Sequence, residues 1–370
     1  MSRFRTRLCD ILGIAHPILQ SGMGSVAGPD LVAEVSKAGG LGIVGGLGLP
    51  ADDLRNRIRQ VRQLTDKPFG VNQWLHTELR PPVDPKSLPR ERIDAVNAHL
   101  NSVRSGLGLE AKSGAPAPVP DLIRQGFEVI LEERVPVWSI GLGDPGPEMV
   151  KEAHGRGIKV VAMASTLEDC LTLARSGVDV IVAQGAEAGG HRSTWTKRDR
   201  PEKAAVGTMA LVREVVRATT VPVAAAGGIV DGRGLLAALA LGAEGVLLGT
   251  RFVATRESAA PDFHKTALVE ADGDATTLSD GFTGLYARMI RNRYTEAYRA
   301  SGAPVFPALV QSNATKDILE HARARSDGQH YTLYAGQGVG AIADLPGAGE
   351  VVRRVMAEAE AAMAELRSLA

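Results

Sequence analysis

Residues 159–190 read KVVAMASTLEDCLTLARSGVDVIVAQGAEAGG, and His191 follows. Lys159–Ala164 is a short apolar run, Leu167–Arg175 has helical spacing, and Gly177 stands where a left-handed helix end needs no Cβ. Val178–Ala183 is a second apolar run, so the stretch is a strand–helix–strand unit. The alternation extends in both directions. Strands are expected at Pro17–Ser21, Leu41–Gly45, Phe69–Trp74, Val135–Gly141, Lys159–Ala164, Val178–Ala183, Val221–Ala226 and Gly245–Leu248. Helices are expected at Asp30–Lys37, Ala51–Leu64, Glu148–His154, Leu167–Arg175, Thr208–Arg217 and Asp231–Leu241, with Gly39, Gly157, Gly177 and Gly242 closing four of them. The strands lack polar alternation, as in a parallel sheet covered on both faces. Eight strands in about 250 residues suit an α/β fold of the (β/α)8 TIM barrel type. A doubly wound open sheet is the alternative.

The composition is ordinary for a soluble globular protein. The chain has 370 residues, with 42 basic against 42 acidic, so it lacks the excess of Lys and Arg that nucleic-acid binding needs. It is 44% hydrophobic and 23% charged, too apolar for disorder. Two cysteines, Cys9 and Cys170, make no disulfide framework and favour a reducing compartment. No apolar run is long enough to span a membrane, and the N-terminus is a poor signal peptide. A cytoplasmic location is expected.

Two segments break the repeat. Thr77–Pro120 carries seven of the 20 prolines and is an excursion after the third strand. Within it Ile93, Val96, Leu100, Val103 and Leu107 recur at helical spacing; a decorated loop and a lid over the site both remain open. Residues 256–307 show no strand pattern and read as a smaller, mainly helical second domain inserted after the eighth strand. The barrel then comprises residues 1–255 and 308–370, with Val351, Val352, Val355 and Met356 of a closing helix packed on it.

Chemistry is expected at the strand ends. After the seventh strand, Gly227 and Gly228 let a phosphate approach the backbone beside the helix start near Asp231, and Leu248-Gly249-Thr250 ends the eighth. A flavin nucleotide or a sugar phosphate would fit equally; a tight turn is the bland reading. After the sixth strand, Gly189 and Gly190 suit a flat ligand and His191 brings an imidazole able to exchange protons near neutral pH. Arg192, Lys197, Arg198, Arg200 and Lys203, against Asp199 and Glu202, make that loop net positive, which favours an anionic ligand or is a solvated charge run. Met23, Gly24 and Asn72 offer further contacts. Gly141-Leu142-Gly143-Asp144-Pro145-Gly146 matches a dinucleotide fingerprint, but Asp144 would repel a pyrophosphate. No metal-ligand spacing is present.

In these residues the chain resembles the nitronate monooxygenase family, formerly 2-nitropropane dioxygenases, and the related flavin-dependent enoyl-acyl-carrier-protein reductases. The resemblance rests on Pro17–Gln20, Ser36–Ile43, Phe69–Asn72, Gln184–Arg192, Ala225–Gly234, Leu248–Thr250 and Ala335–Gly338. It implies an FMN-binding barrel with the smaller domain covering the substrate site, with flavin contacts at Met23, Gly24, Asn72, Gln184, Gly189, Gly228, Leu247, Leu248, Gly249 and Thr250, and His191 as the catalytic residue. The implied reaction oxidises alkyl nitronates with O2 to a carbonyl compound and nitrite. Leu247 stands where many relatives have Gln, Ser193 where Gly is usual, and Gly22-Met23-Gly24 is nearer the reductase form. The alternatives are an NAD(P)H-dependent flavin reductase of enoyl thioesters or quinones, and a flavin-free phosphate-binding aldolase or isomerase. The expected partners are a small anionic or electron-poor molecule and O2, with neither nucleic acid nor membrane; a homodimer is left open.

Overall fold

The eight expected strands form one parallel sheet rolled into a barrel, seen in a computed structural model that describes residues 4–196 and 204–369. They are β1 (Ile18–Gln20), β2 (Gly42–Gly45), β3 (Phe69–Trp74), β4 (Val137–Leu142), β5 (Lys159–Ala164), β6 (Val180–Gln184), β8 (Val223–Ala226) and β9 (Gly245–Leu248). A two-residue strand, β7 (Gly190–His191), lies outside the barrel. The sheet runs β2-β3-β4-β5-β6-β8-β9-β1. Across the remaining seam Gln20 N donates to the Leu41 carbonyl, and Leu41 N to that of Ile18, both at 2.9 Å. The open-sheet alternative is thereby excluded.

Strand alternation divides the core into two layers. Ile18, Val71, Ile140, Ile181, Val246 and Leu248 point outward to the helices, while Leu19, Ile43, Val161, Val182, Ala224 and Leu247 fill the barrel. Leu8, Cys9 and Leu12 of helix Arg7–Leu12 join the inner layer. Helix Ala348–Ser368 packs Val351, Val352, Val355 and Met356 into the outer layer. The four expected helix-end glycines all have positive φ.

Residues 256–307 differ from the expectation of no strands. They contain β10 (Thr276–Ser279) and β11 (Ala287–Ile290), paired antiparallel, beside helices Asp262–Glu270 and Arg293–Ser301. Such a hairpin can face water on one side, so its strands are short, partly polar and easily overlooked. β11 also pairs with β7, with Ala287 opposite His191 and Arg288 opposite Gly190. A separate hydrophobic cluster unites Phe282, Met289, Tyr294 and Phe306 with Val310 and Ile318 of helix Val310–Ala324. Val96 and Leu100 of helix Arg90–Leu107 complete it, so the proline-rich excursion buttresses this cover from behind.

Candidate active site

The C-terminal ends of the barrel strands surround a cavity of ≈ 360 Å³, lined also by Thr283, Leu309, Ser312 and Tyr334. No residue of 77–120 lines it, and among the described residues its wall carries no Asp, Glu, Lys or Arg. Twelve of the thirteen residues singled out in the sequence line it: Met23, Gly24, Asn72, Gln184, Gly189, Gly190, His191, Gly227, Gly228, Leu247, Gly249 and Thr250. Leu248 does not. Its side chain packs in the outer layer, while its carbonyl accepts from Ser21 N at 2.9 Å.

The loop after β6 is held from several sides. Gln184 Oε1 accepts from Ser165 Oγ at 2.5 Å and Ser193 N at 2.9 Å, and Gln184 Nε2 donates to the His191 carbonyl at 3.0 Å. Ser193, unusual at its position, donates its hydroxyl to the Met163 carbonyl at 2.6 Å. Glu187 Oε2 accepts from Thr208 N at 2.8 Å and Thr208 Oγ1 at 2.7 Å, satisfying the start of helix Thr208–Ala218. At Gly189 a Cβ would lie 2.5 Å from Gly336 N, so the expected Ala335–Gly338 motif meets this loop backbone to backbone.

Arg192 departs from its expected role. Its guanidinium is buried, with Nη1 donating to the Gly185 carbonyl at 2.7 Å and Nη2 to that of Ala188 at 3.2 Å. Arg288 Nε adds a bond to the Ala186 carbonyl at 2.9 Å. Burial, then the charge of Arg288, pushes the Arg192 pKa down to about 9. The side chain braces the loop instead of facing a ligand. Lys197, Arg198, Asp199, Arg200, Glu202 and Lys203 lie outside the described residues.

His191 lines the cavity. Its Nε2 is 2.9 Å from Thr283 Oγ1, and its ring meets Trp74 at 4.6 Å and Tyr334 at 5.4 Å. Burial, followed by the charges of Arg192 and His76, pushes its pKa down to about 3. The expectation of titration near neutrality therefore gives way to an imidazole that stays uncharged there. His264, also on the wall, is pushed down to about 4 by burial.

Asn72 Nδ2 donates to Ser139 Oγ at 3.1 Å. The backbone N–H groups of Gly228, Gly249 and Thr250 have no partner among the described residues. Trp74, Thr283 and Tyr334 were not singled out in the sequence. Trp74 had a local signal, since it follows Asn72 by two residues on the same strand face. Thr283 and Tyr334 had none, because distant folding brings them in. In the Gly141–Gly146 motif, Asp144 Oδ1 accepts from Ser176 Oγ at 2.7 Å and Gly146 N at 3.1 Å, so it closes a turn. Among the described residues no group of three metal-ligating side chains occurs, and no helix is long and apolar enough to cross a membrane.

A parallel barrel with a cavity at its strand ends and the imidazoles of His191 and His264 in the wall defines an enzyme of the α/β-barrel class. The chain belongs to the nitronate monooxygenase family, whose sequence model matches residues 5–358, and is an oxidoreductase of that family. The "Probable nitronate monooxygenase" of Staphylococcus haemolyticus is 32% identical over 339 residues, covering 90% of this chain and 91% of its own. Among solved structures, nitroalkane oxidase from Streptomyces ansochromogenes superposes with a TM-score of 0.86 at 32% identity, over 97% of this chain and 99% of its own. FabK from Thermotoga maritima gives 0.78 at 32% identity, over 99% of each chain.

Proposed function

We propose that this chain is an FMN-dependent nitronate monooxygenase, oxidising alkyl nitronates with O2 to a carbonyl compound and nitrite. The observation that carries this reading is the uncharged imidazole of His191 on a wall that, among the described residues, bears no charged side chain. When bound, FMN supplies the electron acceptor and the route by which electrons reach O2.

The residues present fit that cofactor. The free N–H groups of Gly228, Gly249 and Thr250 would hold its phosphate by backbone donors, as barrel loops after the last strands commonly do. Gly24 and Gly190 leave room for a flat ring, and Asn72 and Gln184 offer amides to its edge. His191 then accepts a proton from a neutral nitroalkane or faces the nitronate. A nitronate anion beside the ring favours the imidazolium, and so raises the depressed pKa during turnover.

The test is aerobic turnover of ethyl nitronate by FMN-loaded protein, expected to release nitrite and acetaldehyde in equal amounts. Rapid anaerobic bleaching by NADH or NADPH, with no reduction by the nitronate, would sink the proposal. That outcome would favour a second reading, an NAD(P)H-dependent reductase of enoyl thioesters or quinones, supported by the likeness to FabK and by Gly22-Met23-Gly24.

A further inference from the structure

The turn between β10 and β11 is held more firmly than a surface turn requires. Thr283 N and Gly284 N both donate to the Asp280 carbonyl, at 3.2 and 2.8 Å, and Leu309 N donates to the Thr283 carbonyl at 2.9 Å. Tyr294 Oη and Gln311 Nε2 donate to the Gly281 carbonyl, at 3.0 and 2.8 Å. Gly284 has φ +77, and a Cβ there would stand 2.3 Å from the Phe306 carbonyl oxygen. Only glycine fits. These bonds fix a buried Thr283 beside His191.

Thr283 Oγ1 has two neighbours. It donates to the Leu285 carbonyl at 3.2 Å and lies 2.9 Å from His191 Nε2. Among the described residues the Leu285 carbonyl has no other donor, so both neighbours are satisfied only when the one hydroxyl proton goes to Leu285. Oγ1 then offers His191 only lone pairs, and Nε2 must carry the hydrogen. A neutral imidazole has a single N–H, which leaves the lone pair on Nδ1. Among the described residues nothing hydrogen-bonds Nδ1, and His191 lines the cavity.

The geometry points to Thr283 as the positioning residue that sets the tautomer of His191, so that a substrate proton is taken by Nδ1. The inference rests on His191 as proton acceptor. In that step the substrate C–H bond breaks, the proton passes to Nδ1, and the electron pair stays on the substrate as the nitronate. Nε2–H donates to Thr283 before and after transfer, so this contact needs no rearrangement. The titratable groups against the ring are Arg192 on the same loop, His76 after β3, and Tyr334 from the C-terminal segment.

The test compares FMN-loaded wild type with Thr283→Val, which loses the hydroxyl, and Thr283→Ser, which keeps it. In ¹⁵N-histidine NMR spectra, with the His191 signals identified by their loss in His191→Gln, wild type and Thr283→Ser should show the Nε2–H tautomer. Thr283→Val should show a mixture or the Nδ1–H form. The ratio of kcat/KM for nitroethane to that for ethyl nitronate should fall at least about tenfold in Thr283→Val and recover in Thr283→Ser. An Nδ1–H wild type, or an unchanged tautomer in Thr283→Val, overturns the inference. The wild-type spectrum decides this even if the valine variant does not fold. A wild type inactive on both compounds overturns the assigned substrate instead, since the spectrum reads the tautomer without turnover.

Discussion

Trp74 meets His191 edge to face, with ring centroids 4.6 Å apart and planes inclined by 70°. Gly141 makes room for the indole, because a Cβ there would lie 2.9 Å from Trp74 Nε1. The contact shields the imidazole from water and so helps to keep it uncharged. Trp74→Leu should admit water and raise the His191 pKa, moving the acid limb of kcat/KM for nitroethane up by about one pH unit or more. An unmoved limb would show that other walls supply the shielding.

Stability should fall on acidification. His191 is pushed from 6.5 down to about 3, and His264 from 6.5 down to about 4, in each case chiefly by burial. Below about pH 6.5 the unfolded chain binds protons that the folded chain refuses, so the unfolded state gains. Each site contributes at most about 1.4 kcal/mol per pH unit across its window. Thermal melts between pH 7 and 4.5 should show a falling midpoint, with a shallower slope in His191→Gln. Equal slopes would remove His191 from the acid response.

Gly249→Ala probes the cofactor with little strain on the protein. Gly249 has φ −108, and a Cβ there meets nothing closer than Met23 Sδ and Ser21 Cβ, both at 3.9 Å. The melting midpoint should stay within a few degrees of wild type. FMN affinity, read by fluorescence quenching, should weaken at least about tenfold, or 1.4 kcal/mol. Unchanged affinity would place the phosphate elsewhere.

Arg192→Met removes the brace under the glycine-rich loop. The Gly185 carbonyl keeps its bond from Ala188 N at 3.1 Å, whereas the Ala188 carbonyl loses its Arg192 donor. One buried acceptor left unpaired costs about 1–3 kcal/mol, measurable by urea unfolding. A loss below about 0.5 kcal/mol would mean that water replaces the guanidinium.

The barrel was legible because the units alternate an apolar run with a helix, and Gly39, Gly157, Gly177 and Gly242 mark the ends of four of those helices. Strands β3, β5 and β9 fall at their expected bounds, and the other five shift by no more than two residues at either end. The floor of the site was legible too, since small residues at strand ends such as Gly228 and Gly249 announce close backbone approach. Its roof was not. Thr283 and Tyr334 lie 92 and 143 positions beyond His191, and neither sits in a local pattern that tells it apart from a surface residue. Leu248 belongs to the expected strand end but not to the cavity wall: a strand end contributes alternate residues to opposite faces, so Leu247 faces the barrel interior and Leu248 the helices. Arg192 was misjudged because charge counted along a chain does not reveal whether a guanidinium meets solvent or its own backbone.

β7 is only two residues long, yet it stitches the histidine's own main chain to the roof. Raising that roof would pull on the peptide that carries the imidazole. A gate built there would uncouple the acid–base group each time it opened, so traffic should pass through a different wall. Roofing the chamber and aiming the histidine are therefore one mechanical act.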